Sequence, residues 1–345
     1  MSAFLQACRR QPTPYTPIWL MRQAGRYQPE YRAIREKVGF IELCKNSELA
    51  AEITLLAVRQ LGVDAAIVFA DILLILEPLE IGFSFTDRDG PHIQEPIREA
   101  VAIDALPEAV QVEERLGYLF KTIRLVRAEL SPAVALIGFA GAPFTLASYL
   151  IEGGHARDFI NTKRLMFSEP EAFGVLMTKL TSALIVYLNA QVMAGAQVLQ
   201  VFDSWVGCLS PDDYRMYVQP HMARLFRELT PDIPVIHFAT GNPALYAAMR
   251  QAGGDVIGLD WRVDLVAQWD ALGEVAVMGN LDPVALLGPR DRLLERARRL
   301  LSAVGGRPGH VFNLGHGVLP QTPVDAVRAL VDFVHDQSSR SSQWP

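Results

Sequence analysis

Lysine is scarce in this chain. Its 345 residues include five, Lys37, Lys45, Lys121, Lys163 and Lys179, and none closes an apolar run. That disfavours a Schiff base with pyridoxal phosphate or a carbonyl substrate. Cysteine is scarcer still: Cys8, Cys44 and Cys208 are odd in number, far apart and without CxxC spacing. Neither a disulfide framework nor a zinc knuckle is indicated, and a reducing compartment is expected. No His/Cys or Asp/Glu cluster has metal-ligand spacing, so no metal is expected, though ligands from separate loops stay open. A GxxxxGK[ST] loop is missing and GxGxxG is incomplete, which weakens any nucleotide reading. There is no basic surplus, the net charge being −6, and hence no electrostatic footprint for nucleic acid or an acidic membrane. The opening MSAFLQACRRQPTPYTP has no charged region leading into an apolar one, as a secretory signal would. The most hydrophobic stretch, 64–79, is broken by Asp71 and Glu77, too early to span a bilayer. A soluble, cytoplasmic protein is expected.

What is present is apolar. Half the residues are hydrophobic, and 22 prolines and 25 glycines are spread along the chain. Such spreading suits many short element boundaries and one domain, residues 1–345, rather than two domains on a linker. Short apolar runs occur at 17–21, 65–70, 134–139, 196–202, 234–238, 255–259, 275–278 and 310–314, each readable as a buried parallel strand. Between them lie amphipathic stretches at 47–61, 108–130, 170–194, 211–229, 243–251, 290–304 and 323–334. Strand followed by helix throughout predicts an α/β fold, a single-domain (β/α)8 TIM barrel over about residues 17–336. An inserted hairpin is expected at 81–95 with Asp89-Gly90 as its turn, and a frayed tail at 337–345. The rival is an open doubly wound sheet, which would leave edge strands and gather ligand residues at one switch point.

In a barrel, the residues that follow the strands meet at one rim, at the C-terminal ends of the strands, where barrel enzymes build their active sites. Here they are Arg22-Gln23, Asp71, Gly141-Ala142-Pro143, Asp203-Ser204, Thr240-Gly241-Asn242, Asp260-Trp261, Gly279-Asn280-Leu281-Asp282 and Gly315-His316-Gly317. Arg22 and Arg26 stand four apart where the first run ends, and their guanidinium forks suit carboxylates or phosphates. Between them Gly25 would let a ligand approach the backbone. Arg32 and Arg35 read more simply as a solvated helix face paired with Glu30 and Glu36. The run Arg290, Arg292, Arg296, Arg298 and Arg299 reads the same way.

Asp71 closes one apolar run and is followed at once by another, Ile72 to Leu76. A carboxylate there is costly unless paired or hydrogen-bonded. It is either a structural acid held by an arginine or a desolvated anion that stabilises a developing cation. Tyr149 reads as a core tyrosine with one hydroxyl to satisfy, or as a site residue. Ser204 lies outside any GxSxG elbow and is expected to hydrogen-bond rather than attack. His316 sits between two glycines at the rim, well placed to contact ligand or carry a proton.

Taken together, Pro17 to Arg32 (PIWLMRQAGRYQPEYR), Gly138 to Tyr149 (GFAGAPFTLASY), Phe202-Asp-Ser-Trp205, Gly279-Asn-Leu-Asp-Pro283 and Asn313-Leu-Gly-His-Gly317 resemble the uroporphyrinogen decarboxylases. The resemblance covers nearly the whole chain. It implies a homodimeric barrel without cofactor that converts uroporphyrinogen III to coproporphyrinogen III with loss of four CO2. Arg22, Gln23, Ala24, Gly25 and Arg26 would then form a substrate-binding segment. Asp71 would accept hydrogen bonds from the pyrrole N–H groups, with Tyr149, Ser204 and His316 also touching substrate. Catalytic roles fall to Asp71, Arg22, Tyr149 and His316. The proton source stays open between Arg22, a very poor acid at neutral pH, and water near Asp71. The segment 73–83 departs from the family pattern and leaves one pocket wall undefined. Two other readings remain. Related zinc methyltransferases acting on corrinoids carry a His-x-Cys pair after the fifth strand and a further cysteine near the last; here those places hold His237-Phe-Ala239 and His316. A non-catalytic tetrapyrrole-binding protein on the same fold is the other.

Overall fold

A computed structural model of the chain describes residues 1–86, 90–108 and 110–339. Nine strands are assigned among them: β1 (Ala65–Ile67), β2 (Phe83–Thr86), β3 (Gly90–Ile93), β4 (Ala135–Gly141), β5 (Val198–Asp203), β6 (Val235–Ala239), β7 (Val256–Gly258), β8 (Ala276–Met278) and β9 (His310–Val311). Strands β2 and β3 form the expected hairpin; Asp89 of the expected turn lies outside the described residues. The other seven make one curled parallel sheet in the order β1-β4-β5-β6-β7-β8-β9. Register alternates faces with period 2. Ala135, Ile137, Val198, Ile236, Phe238, Val256, Ala276 and Met278 share one buried cluster, whereas Leu136, Leu199, Val201, Ile257 and Val277 pack with the surrounding helices in another.

The first apolar run, 17–21, is not a strand in the sheet. It is an extended segment with one parallel bridge, Ile18 to Phe312. The reason is local. Pro17 has no N–H to donate, and the Ile18 N–H donates to the Asp64 carboxylate at 2.7 Å instead of to a neighbouring backbone. What remains are bonds to both edges of the sheet. Phe312 N–H donates to the Pro17 carbonyl (2.8 Å), Trp19 N–H to the Phe312 carbonyl (3.3 Å) and Asp64 N–H to the Ile18 carbonyl (2.9 Å).

Three helices fall where expected: Ser47–Leu61, Pro170–Ala194 and Arg290–Val304. The first starts on the Asn46 side chain, which accepts from Leu49 N–H, and stops at Gly62 with φ +71°, an N-cap and a left-handed terminator. Three expected helices are divided, one of them, 243–251, into a 3-10 turn, Pro243–Leu245, and a helix, Tyr246–Ala252. The stretch 211–229 breaks at Val218 into Pro211–Tyr217 and Gln219–Arg227, because Pro220 cannot continue a helix begun upstream and serves instead in a new first turn. The stretch 108–130 resolves into Val112–Arg115 and Gly117–Glu129. The last helix, Val324–Ser338, takes in the first two residues of the expected tail; 340–345 lie outside the described residues.

By length and apolarity the helix Pro170–Ala194 could cross a membrane, but 56% of its most apolar window is buried inside the fold. It holds polar groups that only a protein core satisfies. Gln191 is fully buried and clasps the Phe139 N–H (2.8 Å) and carbonyl (2.9 Å). Buried Lys179 donates to the Asp104 and Leu106 carbonyls and pairs with Glu108 at 3.0 Å.

Candidate active site

At the ends of the strands, most polar side chains are engaged in tying loops together. Asp260, 1% exposed after β7, accepts from Thr240, from Gly241 N–H (2.9 Å) and from the N–H and guanidinium of Arg262. Asn280 donates to the Asp260 and Val263 carbonyls, both at 2.9 Å. Asn242 and Asp282 each cap a short 3-10 turn. Asp203 is fully buried with the parity of Leu199 and Val201, so it faces the helices. It accepts from Thr145 at 3.4 Å and lies 3.7 Å from buried His237. Gln23, 1% exposed, accepts from Leu20 N–H and donates to the Ala65 carbonyl, which latches segment 17–21 to β1. Gly25 N–H is held by Gln28 at 3.0 Å, and Ala24 packs on the core.

The remaining expected site residues keep free functional groups. Arg22 and Arg26 are exposed and have no hydrogen-bond or ion-pair partner for their guanidinium groups among the described residues. Neither the Tyr149 hydroxyl, the Ser204 hydroxyl nor the His316 ring forms a hydrogen bond among them. Asp71 caps the 3-10 turn Ile72–Leu76, one carboxylate oxygen accepting from Leu73 N–H at 2.9 Å. Arg32 and Arg35 do not form the expected pairs with Glu30 and Glu36. Arg32 donates to the carbonyls of Arg26 (2.9 Å) and Tyr27 (3.1 Å), and Arg35 to that of Val38. Arg32 thereby braces the arginine segment, since a backbone carbonyl within reach needs no second ordered side chain.

Electrostatics place four of these free groups in one field. Burial raises the Asp71 carboxyl to about 6, against the opposing pull of Leu73 N–H and the Arg22 charge. The Tyr149 hydroxyl is pushed up to about 12 by burial and the Asp71 anion, with Arg22 opposing. Burial and the Arg22 charge lower His316; Asp260 opposes and Arg262 reinforces. At neutral pH the group is therefore an ionised Asp71, a protonated Tyr149, a neutral His316 and a cationic Arg22.

Packing explains how residues so distant in sequence meet. A β-carbon on Gly317 would lie 2.6 Å from Cδ of Arg22, and one on Gly315 would lie 2.7 Å from Cα of Trp261. The loop carrying His316 is thus pressed between the first segment and the β7 exit. On the far side Gly141 packs on Ile72 next to Asp71. Tyr149 stacks on Trp205, with ring centroids 3.8 Å apart, and Phe159 meets the other ring edge-on. The apolar floor was not expected from the sequence. Phe139, Phe202 and Phe238 form an edge-to-face chain at 5.7 and 6.1 Å. Their period-2 relation to Ile137, Val198 and Ile236 was the available signal.

A rim that offers free arginines and one desolvated carboxylate above an aromatic floor suits a polyanionic molecule with a broad apolar face. The family model for uroporphyrinogen decarboxylase matches residues 1–337. The chain belongs to the uroporphyrinogen decarboxylase family. A uroporphyrinogen decarboxylase of Sorangium cellulosum is 54% identical, over 99% of this chain and 97% of that protein. One of Thermus thermophilus is 50% identical, over 96% and 97%. Among solved structures, a methyltransferase from Methanosarcina mazei shares the fold, with a TM-score of 0.80 at 20% identity over 97% of each chain. His237 is fully buried and faces Asp203 in the core at 3.7 Å. No group of three or more His, Cys, Asp or Glu able to hold a metal occurs among the described residues.

Proposed function

We propose that this protein decarboxylates the four acetate arms of uroporphyrinogen III, without metal or prosthetic group, to give coproporphyrinogen III and four CO2. The observation that carries this reading is Asp71, a half-buried carboxylate with one free oxygen, set among the free groups of Arg22, Tyr149 and His316. Adding a proton to a pyrrole carbon beside an acetate arm makes the ring a cationic electron sink. The C–CO2 bond then breaks, its electron pair entering the ring as CO2 leaves. A proton taken up at the exocyclic carbon and one lost from the ring carbon leave a methyl group. The substrate acts as its own cofactor.

In this scheme Asp71 is ionised at neutral pH and faces the pyrrole N–H groups, where a fixed anion in a desolvated pocket stabilises the ring cation. Arg22 and Arg26 hold carboxylate arms and fix the ring's orientation. Tyr149 and Ser204 offer hydroxyls, and in the segment Gln23-Ala24-Gly25 the Ala24 N–H is the backbone donor left free among the described residues, those of Gln23 and Gly25 being engaged by Leu20 and Gln28. Neutral His316 can accept or donate a hydrogen bond without adding charge. The proton comes from Arg22 or from water beside Asp71. Segment 17–21, bonded to both sheet edges, acts as the eighth stave that closes a (β/α)8 barrel over residues 17–336. The working form is a cytosolic homodimer. Anaerobic incubation of the purified protein with uroporphyrinogen, with no metal or cofactor added, is the direct test. Coproporphyrinogen and CO2 are expected, and tight binding without CO2 release would reject the reading.

A further inference from the structure

The β7 exit carries a cation that the reading above does not use. Arg262 lies over Trp261, its Cζ 3.7 Å from the ring centroid. Trp261 in turn meets His316 edge-on at 6.0 Å. Gly315 brings the His316 loop against the Trp261 backbone, and Gly317 brings the same loop against the Arg22 stem. Arg22, His316, Trp261 and Arg262 therefore form one continuous wall. The bland account of Arg262 is a counter-ion for Asp260. That carboxylate, however, also receives the Thr240 hydroxyl and the N–H groups of Gly241 and Arg262. Only Nη1 of the guanidinium is engaged. The edge formed by Nε and Nη2 has no partner among the described residues, and the side chain is 47% exposed. Lying over an indole while one nitrogen is tied restrains the guanidinium, so a two-pronged edge is presented with little rotamer freedom left to lose.

We propose that Arg262 is a further substrate-binding residue, its free Nε and Nη2 edge gripping a carboxylate arm at the pocket mouth beside His316. This rests on the tetrapyrrole reading, in which eight carboxylates must be met by more cations than Arg22 and Arg26. The same cation contributes to lowering His316, so the two groups lie within electrostatic reach of each other.

The test is equilibrium binding of oxidised, fluorescent uroporphyrin and coproporphyrin to wild type, Arg262→Gln, Arg262→Lys and Thr240→Val. Arg262→Gln is expected to weaken uroporphyrin about tenfold, the loss of one charge-assisted contact. Arg262→Lys should recover part of that loss. Thr240→Val removes the hydroxyl that meets both Asp260 and Nη1 of Arg262 (3.4 Å) but keeps the cation, and should weaken binding less than Arg262→Gln does. Weakening of both porphyrins by Arg262→Gln assigns the contact to a propionate arm, and weakening of uroporphyrin alone assigns it to an acetate arm. Unchanged binding by Arg262→Gln, or equal weakening by Thr240→Val, overturns the proposal. Because binding is read without turnover, a wild type that binds but releases no CO2 would sink the decarboxylase reading alone.

Discussion

Gly317 leaves room for Arg22: a β-carbon there would fall 2.6 Å from Cδ and 2.9 Å from Cγ of that arginine. Arg22 itself has φ +62°, a left-handed conformation that costs a non-glycine residue about 1–3 kcal/mol unless its surroundings impose it. Gly317→Ala should push aside a flexible side chain, not the backbone. Folding should survive, with Tm nearly unchanged, while kcat/KM falls about tenfold or more as Arg22 loses its position. Gly315→Ala is the contrast, because its β-carbon would meet the backbone of Trp261. There Tm should drop. Equal effects of the two changes on Tm would refute this assignment.

Asp71→Asn keeps the shape and the cap on Leu73 but removes the charge. Turnover should fall by about two orders of magnitude or more, with near-UV circular dichroism unchanged. The pH profile gives a second readout. The wild-type carboxyl sits at about 6, so the required anion is present above that pH and lost below it. The wild-type kcat/KM should therefore fall on the acid side of about pH 6. The variant should lack that limb, and an identical limb in both proteins would assign it to another group.

Arg26→Ala should raise KM about tenfold, the loss of one charged contact, with a smaller effect on kcat. Arg32 is no neutral comparison, since it holds the carbonyls of Arg26 and Tyr27. Arg32→Ala should raise KM as well, though less, by loosening the segment. Exposed Arg328, on the last helix, is the proper control. KM values unchanged in Arg26→Ala would remove Arg26 from the site.

How much of this could be read from the sequence depended on how local the cause was. Asp71 stands out because two apolar runs flank it, and the helix bounds at 47–61 and 170–194 follow from Asn46, Gly62, Pro170 and Gly195. Asp203 and Asp260 also end apolar runs, yet Asp260 is consumed by partners that only the folded chain supplies, and Asp203 turns into the core, where Thr145 is its hydrogen-bond donor and its second oxygen has none among the described residues. Parity would have separated Asp203 from Phe202, since one residue's difference in a strand reverses the face. The freedom of Arg22 was not legible at all. It depends on its own left-handed backbone and on Gly317, which approaches from the opposite end of the chain. Likewise the first run reads as a strand by composition, while the Asp64 side chain takes one of its donors.

That same carboxylate ties stability to pH. Asp64 accepts from Ile18 N–H (2.7 Å), from the Tyr15 hydroxyl (2.8 Å) and from His335 Nε2 (2.8 Å). Burial alone would lower His335, but the hydrogen bond and charge of Asp64 outweigh it, with Asp332 and Asp336 adding, so the folded-state pKa is raised. A raised pKa means that the folded form binds the proton more tightly than the unfolded chain does. The resulting stability is complete below the unfolded value, about 6.5 for histidine, and is lost as pH rises through the folded one. His335→Ala should therefore lower Tm more at pH 6 than at pH 8.5, measured in one buffer series at constant ionic strength. A loss that is equal at both pH values, or larger at pH 8.5, would show that the ring acts through packing against Tyr15, 4.8 Å away, rather than through its charge at the seam.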